Sequence, residues 1–117
     1  MKTILSKIKL FENVTELQVK EWSNTLNQRK KDVLESLENE GVFIESAFLD
    51  RHENGQLYLY YFMKMEDEEK CRVAAQNSTL DIDFYHKDFK KKCWERGERL
   101  ECLINFERAI SFHKIED

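Results

Sequence analysis

The chain of 117 residues contains no proline and only three glycines, Gly41, Gly55 and Gly97. A phosphate-cradling loop needs closely spaced glycines, so that class of nucleotide site is excluded in its familiar forms. Cysteine is equally sparse. Cys71, Cys93 and Cys102 are odd in number and show no C-x-x-C spacing, which predicts reduced thiols, a cytoplasmic setting and neither a disulfide frame nor a zinc site. His52, His86 and His113 lie far apart, so the spacing suggests no metal site. No cofactor motif is visible, and none is expected to be bound.

Long apolar runs are missing too. The longest, Leu57–Met63, has seven residues, whereas a membrane helix needs about 20. Lys7 and Lys9 interrupt any signal-type core near the start, so neither export nor membrane insertion is expected. No large excess of positive charge exists: Lys plus Arg is 19 and Asp plus Glu is 23, a net charge of −4. The basic run formed by Lys87, Lys90, Lys91, Lys92, Arg96 and Arg99 is interleaved with Asp88, Glu95 and Glu98. Mixed signs favour a solvated face over a nucleic-acid surface.

What remains is a sequence with 41% hydrophobic and 36% charged residues, enough apolar material for one folded domain spanning residues 1–117. Thr3–Leu10 alternates as a strand, with Ile4, Ile8 and Leu10 on one face. From Thr15 the period lengthens. Trp22, Leu26, Arg29, Val33 and Leu37 form one stripe of a long helix, capped by Thr15 with Gln18 and stopped at Gly41. Val42–Arg51 reads as a second strand, Asn54-Gly55 as a hairpin turn and Gln56–Met65 as a third strand. Helices are predicted from Asp67 to about Asn77 and from about Ile82 to Arg96, the latter ended by Gly97. Leu100–Glu107 alternates as a fourth strand, and the tail from Arg108 is ambiguous.

This order predicts an α+β fold, ferredoxin-like βαββαβ with an extra helix, in which helices cover one face of a four-stranded antiparallel sheet. Strand parity places Val42, Ile44, Phe48, Leu57, Leu59, Tyr61 and Met63 toward the helices, with Leu100, Cys102, Ile104 and Phe106. The opposite face then carries Phe43, Glu45, Leu49, Tyr58, Tyr60, Phe62 and Asn105. A face that apolar needs a cover, and a second copy of the sheet in a homodimer is the economical one. Glu45, Tyr58, Tyr60 and Asn105 would then line a cavity between the copies, as a satisfied polar network or a ligand site.

Four stretches carry a family resemblance. They are Trp22-x-x-x-Leu26-x-x-Arg29, Glu40-Gly41-Val42-x-x-Glu45-Ser46-x-Phe48-Leu49, Tyr58-Leu59-Tyr60-Tyr61 with Met63, and Ile82-Asp83-x-x-His86-x-x-Phe89. Over Lys2 to Phe106 the chain resembles a family of small bacterial proteins of unknown function, itself similar to the dimeric α+β barrel superfamily. The resemblance implies that fold. It does not carry one function, because the superfamily includes monooxygenases, isomerases, mutarotases and silent members.

His86 is the candidate catalytic residue, a general base with Asp81 or Asp83 nearby; the plainer reading is a histidine beside a helix cap. Arg29 could grip a carboxylate or simply lay its stem on the core. Tyr58 and Tyr60 could stack on a ligand or form interface core. Trp22 joins them as a ligand-binding candidate through the resemblance. The expectation is a small-molecule-binding protein, whose enzymatic form would be a cofactor-independent isomerase or mutarotase, with a non-catalytic dimeric interaction protein as the alternative.

Overall fold

The computed structural model describes residues 1–108. Along the chain lie β1 (Lys2–Leu10), α1 (Glu16–Gln28), α2 (Lys30–Glu40), β2 (Val42–Arg51), β3 (Leu57–Met65), α3 (Glu68–Asn77), α4 (Asp81–Cys93) and β4 (Trp94–Leu100). The four strands form one sheet in the order β2-β3-β1-β4, and every neighbouring pair is antiparallel. The molecule is therefore an α+β fold with an open four-stranded sheet. No helix of the described residues is long and apolar enough to cross a membrane.

Local chemistry accounts for most boundaries. Thr15 accepts the Gln18 amide at 3.2 Å while the Gln18 side chain accepts the Thr15 amide at 2.8 Å, a reciprocal cap on α1. Gly41 ends α2 with φ at 69°, a left-handed conformation that costs a glycine little. Asp67 caps α3 by accepting the Lys70 amide. The main core joins Ile8 and Leu10 of β1, Leu57, Leu59 and Tyr61 of β3, Val19 and Trp22 of α1, and Phe89 and Cys93 of α4. Leu10 and Leu59 are fully enclosed, and burying each leucine contributes about 1.5–3 kcal/mol.

Three expectations are corrected. The long helix breaks at Arg29, which closes α1 and opens α2 with φ −105° and ψ 36°. No proline or glycine marks that break. The fourth strand is Trp94–Leu100, not Leu100–Glu107. Gly97 consequently does not end a helix. It sits in β4 opposite Ile8, where an added Cβ would come within 2.9 Å of the Ile8 Cδ1 atom. Residues 101–108 carry no regular structure, and Leu103, Ile104 and Phe106 are exposed there, so the helix-facing places assigned to Cys102, Ile104 and Phe106 are not occupied. Residues 109–117, including His113 and the ambiguous tail beyond Arg108, lie outside the described residues.

The third correction has the largest functional effect. The β2–β3 register shifts between Val42 and Ile44, so one extra residue inverts every side chain beyond it. Val42 stays in the core, but Ile44 and Phe48 face the open side with Tyr60 and Phe62. Glu45, Ala47 and Leu49 turn toward the helices instead.

Candidate functional site

A groove of about 480 Å3 runs between α1 and α2 on one side and β2 and β3 on the other. Its walls are mostly apolar, with Val19, Leu26, Val33, Leu37, Leu49 and Leu59 among them. The size suits a small organic ligand. Among its polar residues, the helices supply Lys20, Ser23, Asn27 and Lys30, and the two strands supply Glu45 from β2 and Tyr61 from β3.

Behind them runs a chain of hydrogen bonds through three elements. The Trp22 indole N–H of α1 donates to Nδ1 of His86 at 3.2 Å. Nε2 of His86, on α4, lies 3.2 Å from the Tyr61 hydroxyl. That hydroxyl donates to Oε2 of Glu45 at 2.7 Å. An indole N–H can only donate, so Nδ1 must offer its lone pair. A neutral His86 then carries its proton on Nε2 and donates it to Tyr61. All three protons point the same way, from Trp22 toward the Glu45 carboxylate.

Packing holds this chain in place. The Trp22 ring stacks on Phe89 with centroids 4.4 Å apart and on His86 at 5.7 Å. Trp94 closes the far side, edge-on to both Tyr61 and His86. Burial and the neighbouring positive charge of Lys90 push the His86 pKa down to about 4. The imidazole is thus neutral at pH 7, in agreement with the Trp22 bond.

Burial acts on the carboxylates in the opposite sense. It raises the Glu45 pKa, against the stabilising hydrogen bond from Tyr61. Tyr61 is held well above the ordinary phenol range by burial and by the Glu45 charge. Next to Glu45 a chamber of about 40 Å3 is lined by Ser36, Glu40, Asp83 and His86. Glu40 is raised to about 7 by burial and by the charges of Asp83 and Glu45. Asp83 accepts hydrogen bonds from both Ser36 and Ser78. Among the described residues no group of three or more His, Cys, Asp and Glu side chains is placed to hold a metal ion.

The structure brings together Trp22, Glu45 and His86, and separates the other candidates. Arg29 binds Asp32 at 2.9 Å at the α1–α2 break. Tyr58 and Tyr60 lie on the open face of the sheet, Tyr58 against His52 and under the Lys7 ammonium, Tyr60 beside Phe48 and Phe62. Asn105 lies beyond β4 and donates to Glu107 at 2.9 Å. The cavity joining Glu45 to Tyr60 and Asn105 is therefore absent from the described residues, because the β2 bulge sends Glu45 to the other face. Tyr61, Glu40 and Ser36 were not anticipated as site residues; Tyr61 reads as an ordinary core position from parity alone.

The sequence pattern of a family of unknown function, DUF6176, matches residues 1–111. The chain belongs to that family. No curated protein matches it. Within DUF6176, then, the functional reading has to come from the groove and its hydrogen-bonded floor.

Proposed function

We propose that this protein binds a small organic molecule in the groove between α1–α2 and β2–β3 and moves a proton on it without a cofactor, as an isomerase or mutarotase does. The observation that carries the reading is the one-way hydrogen-bond chain from Trp22 through His86 and Tyr61 to Glu45, which ends on a carboxylate at a ligand-sized groove. His86 has both ring nitrogens engaged, so its part is to orient Tyr61 rather than to collect a proton itself. Glu45 is the group that exchanges the proton, and burial raises its pKa above the ordinary carboxylate value, the direction general acid–base work requires. Glu45 would take a proton from one ligand atom and return it to another, so no oxidant or reductant is required.

The finer reading of the fold is a ferredoxin-like domain that pairs through its open face into a dimeric α+β barrel. It is supported by the order of elements along the chain and by the exposed apolar side chains of Ile44 and Phe48 beside Leu5, Tyr60 and Phe62. That same face supports the second reading, a non-catalytic dimeric interaction protein. The two differ over the groove.

Proton exchange can be read by incubating wild type and Glu45→Gln in D2O with a panel of small carbonyl compounds and sugars. The expected outcome is deuterium entering a carbon position of one compound, or faster interconversion of the anomers of one sugar, at a rate reduced about a hundredfold or more by Glu45→Gln, the usual weight of a general acid–base group. Catalysis that survives the substitution, or neither carbon-bound exchange nor faster anomer interconversion with any member of the panel, overturns the enzymatic reading.

A further inference from the structure

We infer that the groove selects an anionic ligand with an apolar body, a small monocarboxylate; this rests on the groove being the ligand site. The walls offer hydrocarbon, whereas the rim carries Lys20 from α1 and Lys30, the first residue of α2. Eight of the sixteen other lysines and arginines among the described residues have a carboxylate within 4.0 Å, Arg51 on Glu16, Lys70 on Glu66 and Arg99 on Glu68 among them. Among the described residues, no carboxylate lies within 4.0 Å of either Lys20 or Lys30. Glu16, whose charge does reach Lys20, is held by Arg51 through two hydrogen bonds of 2.6 and 2.9 Å.

Two unpaired ammonium groups on separate helices therefore edge one groove in a protein of net charge −4. Asn27 lies on the same rim and adds a neutral polar group. Among the described residues, the only acidic side chain of the lining is Glu45, set among apolar walls. A ligand carboxylate is repelled by Glu45 and attracted by the lysines, so it orients with its head at the rim and its body along Leu26, Leu37 and Leu49. A neutral ligand would gain nothing from the lysines, and a cationic one would be repelled there.

The test compares octanoate, 1-octanol and octylammonium, which share a body and differ in the head. Binding is followed by titration calorimetry and by NMR shifts of the Val19, Leu49 and Leu59 methyl groups. Octanoate is expected to bind about tenfold or more tightly than octanol, the weight of a hydrogen bond to a charged group. The Lys20→Gln/Lys30→Gln double variant should lose that advantage and bind octanol as before; both residues are exposed, so the fold is kept. Equal binding of octanoate and octanol, or an advantage that survives the double substitution, overturns the charge selection while leaving the groove as a ligand site. If none of the three shifts the groove methyls, the groove itself fails as a binding site, and the inference falls with it.

Discussion

Trp22 fixes the tautomer of His86. Its indole N–H points at Nδ1 across 3.2 Å, so a proton on that nitrogen would set donor against donor. Burial and this bond work in the same direction, and both keep the ring neutral.

The first prediction removes the donor. Trp22→Phe retains an aromatic ring to stack on Phe89 but leaves Nδ1 free. The His86 pKa should rise from about 4 toward the ordinary histidine value, and stability should fall by about 1–3 kcal/mol. Histidine ring-proton shifts followed by NMR across pH give the first quantity, and urea unfolding gives the second. A His86 value still near 4 in the variant would show that burial and the Lys90 charge set it without the Trp22 bond.

The second concerns pH and stability. The Glu40 pKa in the fold, about 7, lies above its ordinary 4.5. The folded state therefore keeps a proton that the unfolded chain gives up. This contribution is full below pH 4.5 and is lost as pH rises through 7. His86 acts in reverse. Its value of about 4 lies below the ordinary 6.5, so its contribution is present above pH 6.5 and is lost as pH falls toward 4. Glu40→Gln should make the protein more stable than wild type above pH 7 and leave it unchanged below pH 4.5. Urea midpoints measured from about pH 4 to about pH 8 check this, and a gain that is constant across that range would contradict it.

The third tests the open face. Phe48 is 61% exposed beside Ile44, Tyr60 and Phe62. Sedimentation equilibrium of the wild type should give a dimer, and Phe48→Asp should give a folded monomer with unchanged circular dichroism. A monomeric wild type removes the dimer from the proposal.

Much of the fold was legible because local chemistry decided it. The Thr15–Gln18 cap, the Gly41 stop, the Asn54-Gly55 turn and the inward parity of Ile4, Ile8, Leu57 and Leu59 all occur as the residues imply. The fourth strand was hidden because Trp94–Leu100, WERGERL, is an edge strand with charges on both faces. Alternation of apolar residues is stronger just beyond it, in residues that take no regular structure. Of the site, Trp22, Glu45 and His86 were visible as residue types. Their meeting was not, since it depends on a bulge that no proline or glycine announces.

That bulge makes the site depend on how the strand is paired rather than on which residue is bulged. Phe43 has 57% of its surface in water, so many side chains would serve at its position. Even its deletion would spare the carboxylate. Val42 would still pair with Met65 and Ile44 with Lys64, now in an unbroken ladder, and Glu45 would stay opposite Met63, turned toward the helices. What would take Glu45 out of the groove is pairing Phe43 itself with Lys64, which would carry Ile44 into the core and Glu45 to the open face. The apolar alternation of β2 favours that second pairing, so the fold holds the carboxylate at the groove against the strand's own pattern.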